Sequence, residues 1–171
     1  EIAKNLVLRP KVQIGYLGTY NSDYGISPFE RYYLGGSGLG QFNFYGWEYV
    51  GMRGYPDNAI GPRRSPLDNE NTQTVGGNIL TKYFVELRYP ISLNQAAPIW
   101  VLGFASAGNT WEGFENFKPY ELKRSAGVGV RVMLPMVGLL GVDWGYGFDK
   151  ITPNSVDRHG SQFTFIIGQE F

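Results

Sequence analysis

The sequence contains no cysteine and a single histidine, His159. Without cysteine it can form neither a disulfide framework nor a thiolate metal site, and one histidine does not provide metal-ligand spacing. We interpret His159 as a surface-loop residue, because it lies in a polar turn. The 15 basic and 15 acidic residues balance, so no cationic excess indicates nucleic-acid binding and no acidic tail indicates disorder.

Long hydrophobic runs are also missing. No stretch approaches the ~18 consecutive apolar residues of a membrane helix, and the longest candidate, Val132 to Val142, is interrupted by proline and glycine. The sequence has no nucleophile elbow around a serine, no calcium-loop spacing and no phosphate-binding glycine loop. We therefore predict a protein that is not an enzyme and that needs no cofactor or metal.

Glycine and aromatic residues are abundant, with 24 glycines and 16 % aromatics. Apolar and polar residues alternate with a period of two, and no helical period recurs. We predict six strands, at about residues 6–18, 78–91, 99–108, 122–134, 139–148 and 162–171. The two faces of the third strand cannot be assigned, because nearly all of its residues are apolar or small.

The final segment, from Gln162 to Phe171, is the most informative. It places Phe163, Phe165 and Ile167 on one face and ends on an aromatic residue. A strand of about 9–11 residues with one apolar face is what a tilted strand needs to cross a bilayer. The polar faces of the other strands are rich in glycine rather than in long charged residues. These features favour an all-β transmembrane barrel, and a soluble β-sandwich is the alternative with the same alternation.

A long segment, residues 19–73, separates the first two predicted strands. A connection of this length without predicted structure is unusual unless it is a functional loop. We expect a large extracellular loop that folds into the barrel lumen. Because bacterial membrane barrels have at least about eight strands, we also expect residues 1–171 to be the C-terminal segment of a longer barrel.

Several short motifs follow one another along the chain. Met52-Arg53-Gly54-Tyr55 lies in the long loop, and the others are Tyr33 to Ser37, Asn58 to Pro62, Val75 to Asn78, Phe104 to Gly108 with Trp111, and Ser125 to Gly129 with Pro135. In order and approximate spacing they resemble the motifs of the family of outer-membrane assembly factors formed by BamA and its relatives, including its V-R-G-F motif. The spacer before Arg53 is longer than in the common form of the family.

This resemblance implies a 16-stranded barrel preceded by periplasmic POTRA domains, of which the chain would be about the last third. It implies a protein of the Gram-negative outer membrane that folds and inserts nascent β-barrel proteins through a lateral seam. The implied partners are unfolded outer-membrane β-barrel proteins, lipoprotein subunits of an assembly complex, periplasmic chaperones and outer-membrane lipids. The alternatives are a related transporter, either a two-partner secretion pore or a translocation-module subunit, and a plain porin-like barrel.

The resemblance also implies a docking role for the loop motif Met52, Arg53, Gly54 and Tyr55. A planar guanidinium suits bidentate bonding to a carboxylate. In the family the partner can be the Asp of F-x-D-x-G, but Ser106 occupies that position here. By parity Glu86 faces the lumen, so we predict an Arg53–Glu86 ion pair.

The other residues of the motif have expected roles too. Ser106 is expected to be at most a neutral partner of Arg53, and Phe104 is expected to lie on the lumen wall. We expect Gly54 to let the loop backbone approach the wall and Tyr55 to stack on wall aromatics. Without the resemblance, an exposed arginine in a flexible loop would be the simpler interpretation of Arg53.

The last strand carries three further candidate residues, which we assign to the seam and to a C-terminal signal: Phe165, Gly168 and Phe171. A glycine weakens strand pairing and permits a kink, so the resemblance implies that Gly168 helps the seam to open. The alternative is that Gly168 only makes room for a bulky neighbour. Phe171 is expected to anchor the strand at the periplasmic interface and to act as the recognition signal for barrel insertion.

Overall fold

The computed structural model describes residues 5–20, 26, 30–37, 48–63, 74–94, 97–136, 138–151 and 160–167. Within these residues the regular secondary structure is mostly β-strand. The strands are β1 Val7–Tyr16, β2 Tyr32–Leu34, β3 Glu48–Val50, β4 Ile79–Ser92, β5 Ile99–Trp111, β6 Lys123–Leu134, β7 Gly138–Gly147 and β8 Ser161–Ile167, and a 3-10 turn spans Phe114–Asn116. Among the described residues, we find no helical segment with the length and hydrophobicity of a transmembrane helix.

Six strands form one antiparallel sheet in the order β1-β4-β5-β6-β7-β8. Because β2 and β3 belong to the long loop and form a separate pair, β1 pairs with β4. Each later strand pairs with the one before it in the chain. Pro90 in β4 lies beside the register shift against β5, where a missing N–H does least harm. The prediction of six antiparallel strands is confirmed, and the third extends further than predicted, to Trp111.

The two faces of the sheet differ in the way that the alternation predicts. On β4, Tyr83 and Val85 are 45 % and 44 % exposed, whereas Lys82 and Glu86 are 6 % and 2 % exposed. The apolar side chains thus point outward and the polar ones inward. This arrangement is the reverse of a soluble sandwich and suits a wall whose outer face meets lipid. Phe104, which is buried, fixes the inward face of β5 that the sequence left open.

The described parts of the segment between β1 and β4 pack against the inward face of the sheet. Its two short strands, β2 and β3, pair in parallel. A buried apolar cluster joins the loop to the wall, with Leu80 contributed by β4 and the remaining members contributed by the loop: Leu34, Val50, Met52, Tyr55 and Ile60. The described part of the loop thus packs on the face of the sheet where the sequence analysis expected it.

The connections at the two ends of the sheet differ in length. Short turns join β4 to β5 and β6 to β7, and in the second of these Pro135 and Met136 precede Gly138, whose φ is +89°. The long loop and the β5–β6 and β7–β8 connections lie at the opposite end. His159 lies outside the described residues.

Candidate loop-docking site

Arg53 lies at the centre of the contact between the loop and the wall. Its side chain is 5 % exposed, and its Nη2 donates to Glu86 Oε2 at 2.9 Å. The structure thus brings together the two groups that the sequence analysis paired. Its Nη1 donates to a second carboxylate that was not anticipated, Asp143 Oδ2 on β7, at 2.5 Å. One planar guanidinium therefore bridges two strands that are not neighbours in the sheet.

Two further arginines complete the charge network. Arg88 Nε donates to Glu86 Oε1 at 2.6 Å. Arg131, on β6, binds Asp143 through both terminal nitrogens, at 2.5 Å to Oδ1 and 2.8 Å to Oδ2. Three guanidinium groups thus share two carboxylates that are almost fully buried. Because an unpaired buried charge costs several kcal/mol, each member of the network depends on the others.

Two aromatic rings pack against the Arg53 guanidinium. Its Cζ lies 4.1 Å from the ring centroid of Phe104 and 5.0 Å from that of Phe84, which are cation–π distances. Ser106, at the family's Asp position, instead forms a hydroxyl–hydroxyl bond of 2.7 Å with Ser125 on β6. The second carboxylate at Arg53 is therefore supplied by β7 rather than by β5.

Gly54 lies directly on the backbone of the wall. Its φ is +91°, and a Cβ at this position would lie 2.9 Å from Ser125 Cβ and 3.0 Å from the carbonyl carbon of Tyr146. The wall residue that faces Gly54 is also a glycine, Gly145. A Cβ on Gly145 would lie 2.8 Å from Gly54 N. The close backbone approach expected of Gly54 thus requires glycine on both surfaces.

Tyr55 ends the motif at the end of the sheet that carries the long connections. Its hydroxyl donates to the carbonyl oxygen of Arg124 at 2.8 Å and accepts from the Asp149 N–H at 3.1 Å. Burial raises the pKa of Tyr55 to about 12, so the phenol stays neutral. The ring lies against Gly147, where an added Cβ would come within 2.8 Å of it, and packs in the buried cluster. Its neighbours at the wall are thus glycine backbone and aliphatic side chains, in place of the aromatic stack that we expected.

The motif follows the inward side of β7 and its continuation. Loop residues 53 to 55 contact every second residue of that strand in turn: Asp143, Gly145, Gly147 and then Asp149. Met52 adds a backbone bond to Gly36 of the loop and a side chain that is 1 % exposed. Asp143 and Arg131 could have been found from strand parity, which places both on inward faces of adjacent strands.

The edge strand β8 carries one of the seam residues within the described part of the chain. Phe165 is 64 % exposed on the outward face, and Ile166 next to it is 1 % exposed on the inward face. Gly168 and Phe171 lie outside the described residues, so their predicted roles stay predictions. Within the described ranges no group of three or more histidine, cysteine, aspartate or glutamate residues could hold a metal ion.

Comparison with known proteins gives matches of two kinds. The family model described as "Omp85 superfamily domain" matches residues 1–171. Among solved structures, the chain is similar to BamA from Haemophilus ducreyi lacking POTRA domains 1–3, with a TM-score of 0.59 and 18 % sequence identity. That match covers 94 % of this chain and 31 % of the solved chain, so it shows a shared fold over part of a larger protein. A search of curated proteins returned no match.

Proposed function

The chain belongs to the Omp85 superfamily, and we propose that it forms the loop-docking wall of an outer-membrane insertase. In this role it is the C-terminal segment of the barrel and helps to fold and insert nascent β-barrel proteins. The observation that carries the proposal is the seating of Arg53, Gly54 and Tyr55 along β7. β7 is the strand that pairs with β8, which lies at the edge of the sheet.

The position of β8 gives the proposal its mechanism. β8 pairs with β7 from Tyr146↔Ser161 to Leu140↔Ile167, and in the described part of the chain its other side has no strand partner. An edge of this kind presents unpaired N–H and C=O groups, which can template an incoming strand. The docked loop holds β7 from inside the barrel, so it supports β8 without covering the edge.

No covalent reaction is needed for this work. Insertion is slow because unpaired backbone groups are costly in lipid, at several kcal/mol each. A strand edge that offers hydrogen-bonding partners at membrane depth lowers that cost for a client strand. The proposed partners are unfolded outer-membrane β-barrel proteins, lipoprotein subunits of an assembly complex, periplasmic chaperones and outer-membrane lipids.

Depletion in the host tests the proposal. The full-length protein is depleted conditionally, and the outer-membrane proteome is quantified with and without complementation by the wild type, by Arg53→Ala or by the exposed-site control Lys118→Ala. An insertase predicts a broad fall across unrelated β-barrel proteins, restored by the wild type and by Lys118→Ala and poorly by Arg53→Ala. Loss of one secreted protein with all other barrels intact would reject the insertase and support a dedicated secretion pore of the same superfamily.

A further inference from the structure

A small cavity lies between the docked loop and the inner wall, with a volume of about 10 Å³. This is the space that a single water-sized particle needs. Three cationic side chains line the cavity, Lys11 from β1, Lys82 from β4 and Arg53 from the loop, and none of its lining residues is acidic. The charged side chains that line the cavity are therefore all cationic.

The lysines are the members of this group whose charge is not balanced. Lys82 is 6 % exposed, and its ammonium donates to the carbonyl oxygen of Gly51. That bond uses one of three N–H donors. Within the described ranges neither Lys82 nor Lys11 has a carboxylate within ion-pair distance, whereas Arg53 is paired with Glu86 and Asp143. A buried ammonium without a counter-ion is costly.

We propose that this cavity binds a chloride ion between the ammonium groups of Lys11 and Lys82. The cationic lining favours an anion over a water molecule. Among abundant anions a monatomic one suits so small a cavity best, because sulfate, phosphate and carboxylates are all larger. Chloride is the abundant monatomic anion in the surroundings of a cell.

A bound chloride ion would also affect the loop. Gly51, Met52 and Arg53 line the cavity from the loop side, and Lys11 and Lys82 line it from the wall. An anion between them reduces the repulsion between the cationic groups on the two sides. Loop docking should therefore depend on chloride itself, beyond any effect of ionic strength. The inference does not rest on the insertase proposal, since it needs only the docked loop.

Anomalous diffraction from bromide tests the site directly. Crystals of the full-length protein are soaked in bromide, and the wild type is compared with Lys82→Met. The matched control is Lys123→Met, because Lys123 also donates to a backbone carbonyl, that of Lys150, but at an exposed site. We expect an anomalous peak between Lys11 and Lys82 that is lost in Lys82→Met and kept in Lys123→Met. No peak, with a water molecule or a protein carboxylate in the cavity, would overturn the proposal.

Hydrogen exchange gives a second measurement, in solution. Amide exchange of residues 51–55 is compared in potassium chloride and potassium gluconate at equal ionic strength. Exchange should be several-fold slower in chloride for the wild type and for Lys123→Met, and equal in the two salts for Lys82→Met. If Lys82→Met does not fold, the half-buried edge-strand variant Lys11→Met replaces it and should need more chloride for the same protection. Equal exchange of the wild type in both salts would refute a chloride site.

Discussion

Arg53 and Asp143 lie 90 residues apart in the chain, and their Nη1 and Oδ2 atoms lie 2.5 Å apart in the buried face of the sheet. The contact ties the long loop to the strand that carries β8. It also places one carboxylate between two guanidinium groups, those of Arg53 and Arg131. Loss of this carboxylate would therefore leave two buried cations short of a partner.

Asp143→Asn should lower the free energy of unfolding by about 3–5 kcal/mol, the usual cost of breaking a buried pair from one side. Denaturant unfolding of the full-length protein in detergent micelles measures the change. Arg131→Met in the Asp143→Asn background should recover part of the loss, because it removes one of the unpaired cations. The control is Glu121→Gln in the exposed Lys118–Glu121 pair, which should cost at most about 1 kcal/mol. Equal losses for Asp143→Asn and Glu121→Gln would contradict the network.

Gly54→Ala should undock the loop for two separable reasons. The positive φ at this position costs an alanine about 1–2 kcal/mol, and overlap with Ser125 and the β7 backbone adds about 1–3 kcal/mol. Amide exchange of residues 52–60 measures docking, and it should accelerate strongly in Gly54→Ala.

Two other glycines separate these contributions. Gly160 has a φ of +122° with open space around its Cα, so Gly160→Ala should show only the backbone cost, about 1–2 kcal/mol of global stability. Gly113 has extended backbone and open space, so Gly113→Ala should be neutral. If Gly54→Ala lowers the global stability no more than Gly160→Ala does, steric overlap between the loop and the wall does not contribute to the cost.

Loop docking should weaken at high pH through Tyr55. Its pKa is raised above the ordinary value of a phenol, about 10, to about 12 in the docked loop. A raised pKa gives a contribution to stability that is complete below pH ~10 and is lost as pH rises through about 12. The difference in unfolding midpoint between wild type and Tyr55→Phe, followed from pH 9 to 12, should shrink with rising pH. Parallel pH profiles for the two proteins would show that Tyr55 does not titrate differently on docking.

In the acidic range, the group whose pKa shift should make stability depend on pH is Asp149. The Arg124 side chain, which hydrogen-bonds to its carboxylate, lowers the pKa of Asp149. A lowered pKa gives a contribution that is complete above the unfolded value, about 3.9, and is lost as pH falls through the folded value. The stability difference between wild type and Asp149→Asn should therefore be constant from pH 7 to 5 and shrink below pH ~4. A difference that grows on acidification would contradict this sign.

The sequence predicts the wall of this fold well, because period-two alternation has a direct physical cause. Residues such as Tyr83 and Glu86 differ so strongly in polarity that only one orientation of β4 is compatible with lipid outside. The same parity orients Arg131 and Asp143 inward. Parity did not reveal that Arg53 reaches β7, because the reach of a loop depends on its three-dimensional path and not on a local period.

Other features could not be predicted for similar reasons. β2 and β3 are three residues each and pair in parallel across a long separation, so neither carries a recognisable local pattern. β5 has small or apolar residues on both faces, and its orientation follows only from its neighbours. The interpretation of Ser106 as a neutral residue follows from its chemistry, but its bond to Ser125 requires the register of β5 against β6.

The contacts of the loop with every second residue of β7 have a consequence for assembly of the wall. A slip of β7 by one residue would turn Asp143, Gly145 and Gly147 outward and bring Val142, Trp144 and Tyr146 to the inner face. Bulky side chains would then stand where the Gly54 backbone must lie, and Arg53 would lose a carboxylate. The loop can therefore dock only onto a sheet in its native register. Its docking thus depends on, and reports, correct pairing of the strand beside the edge strand.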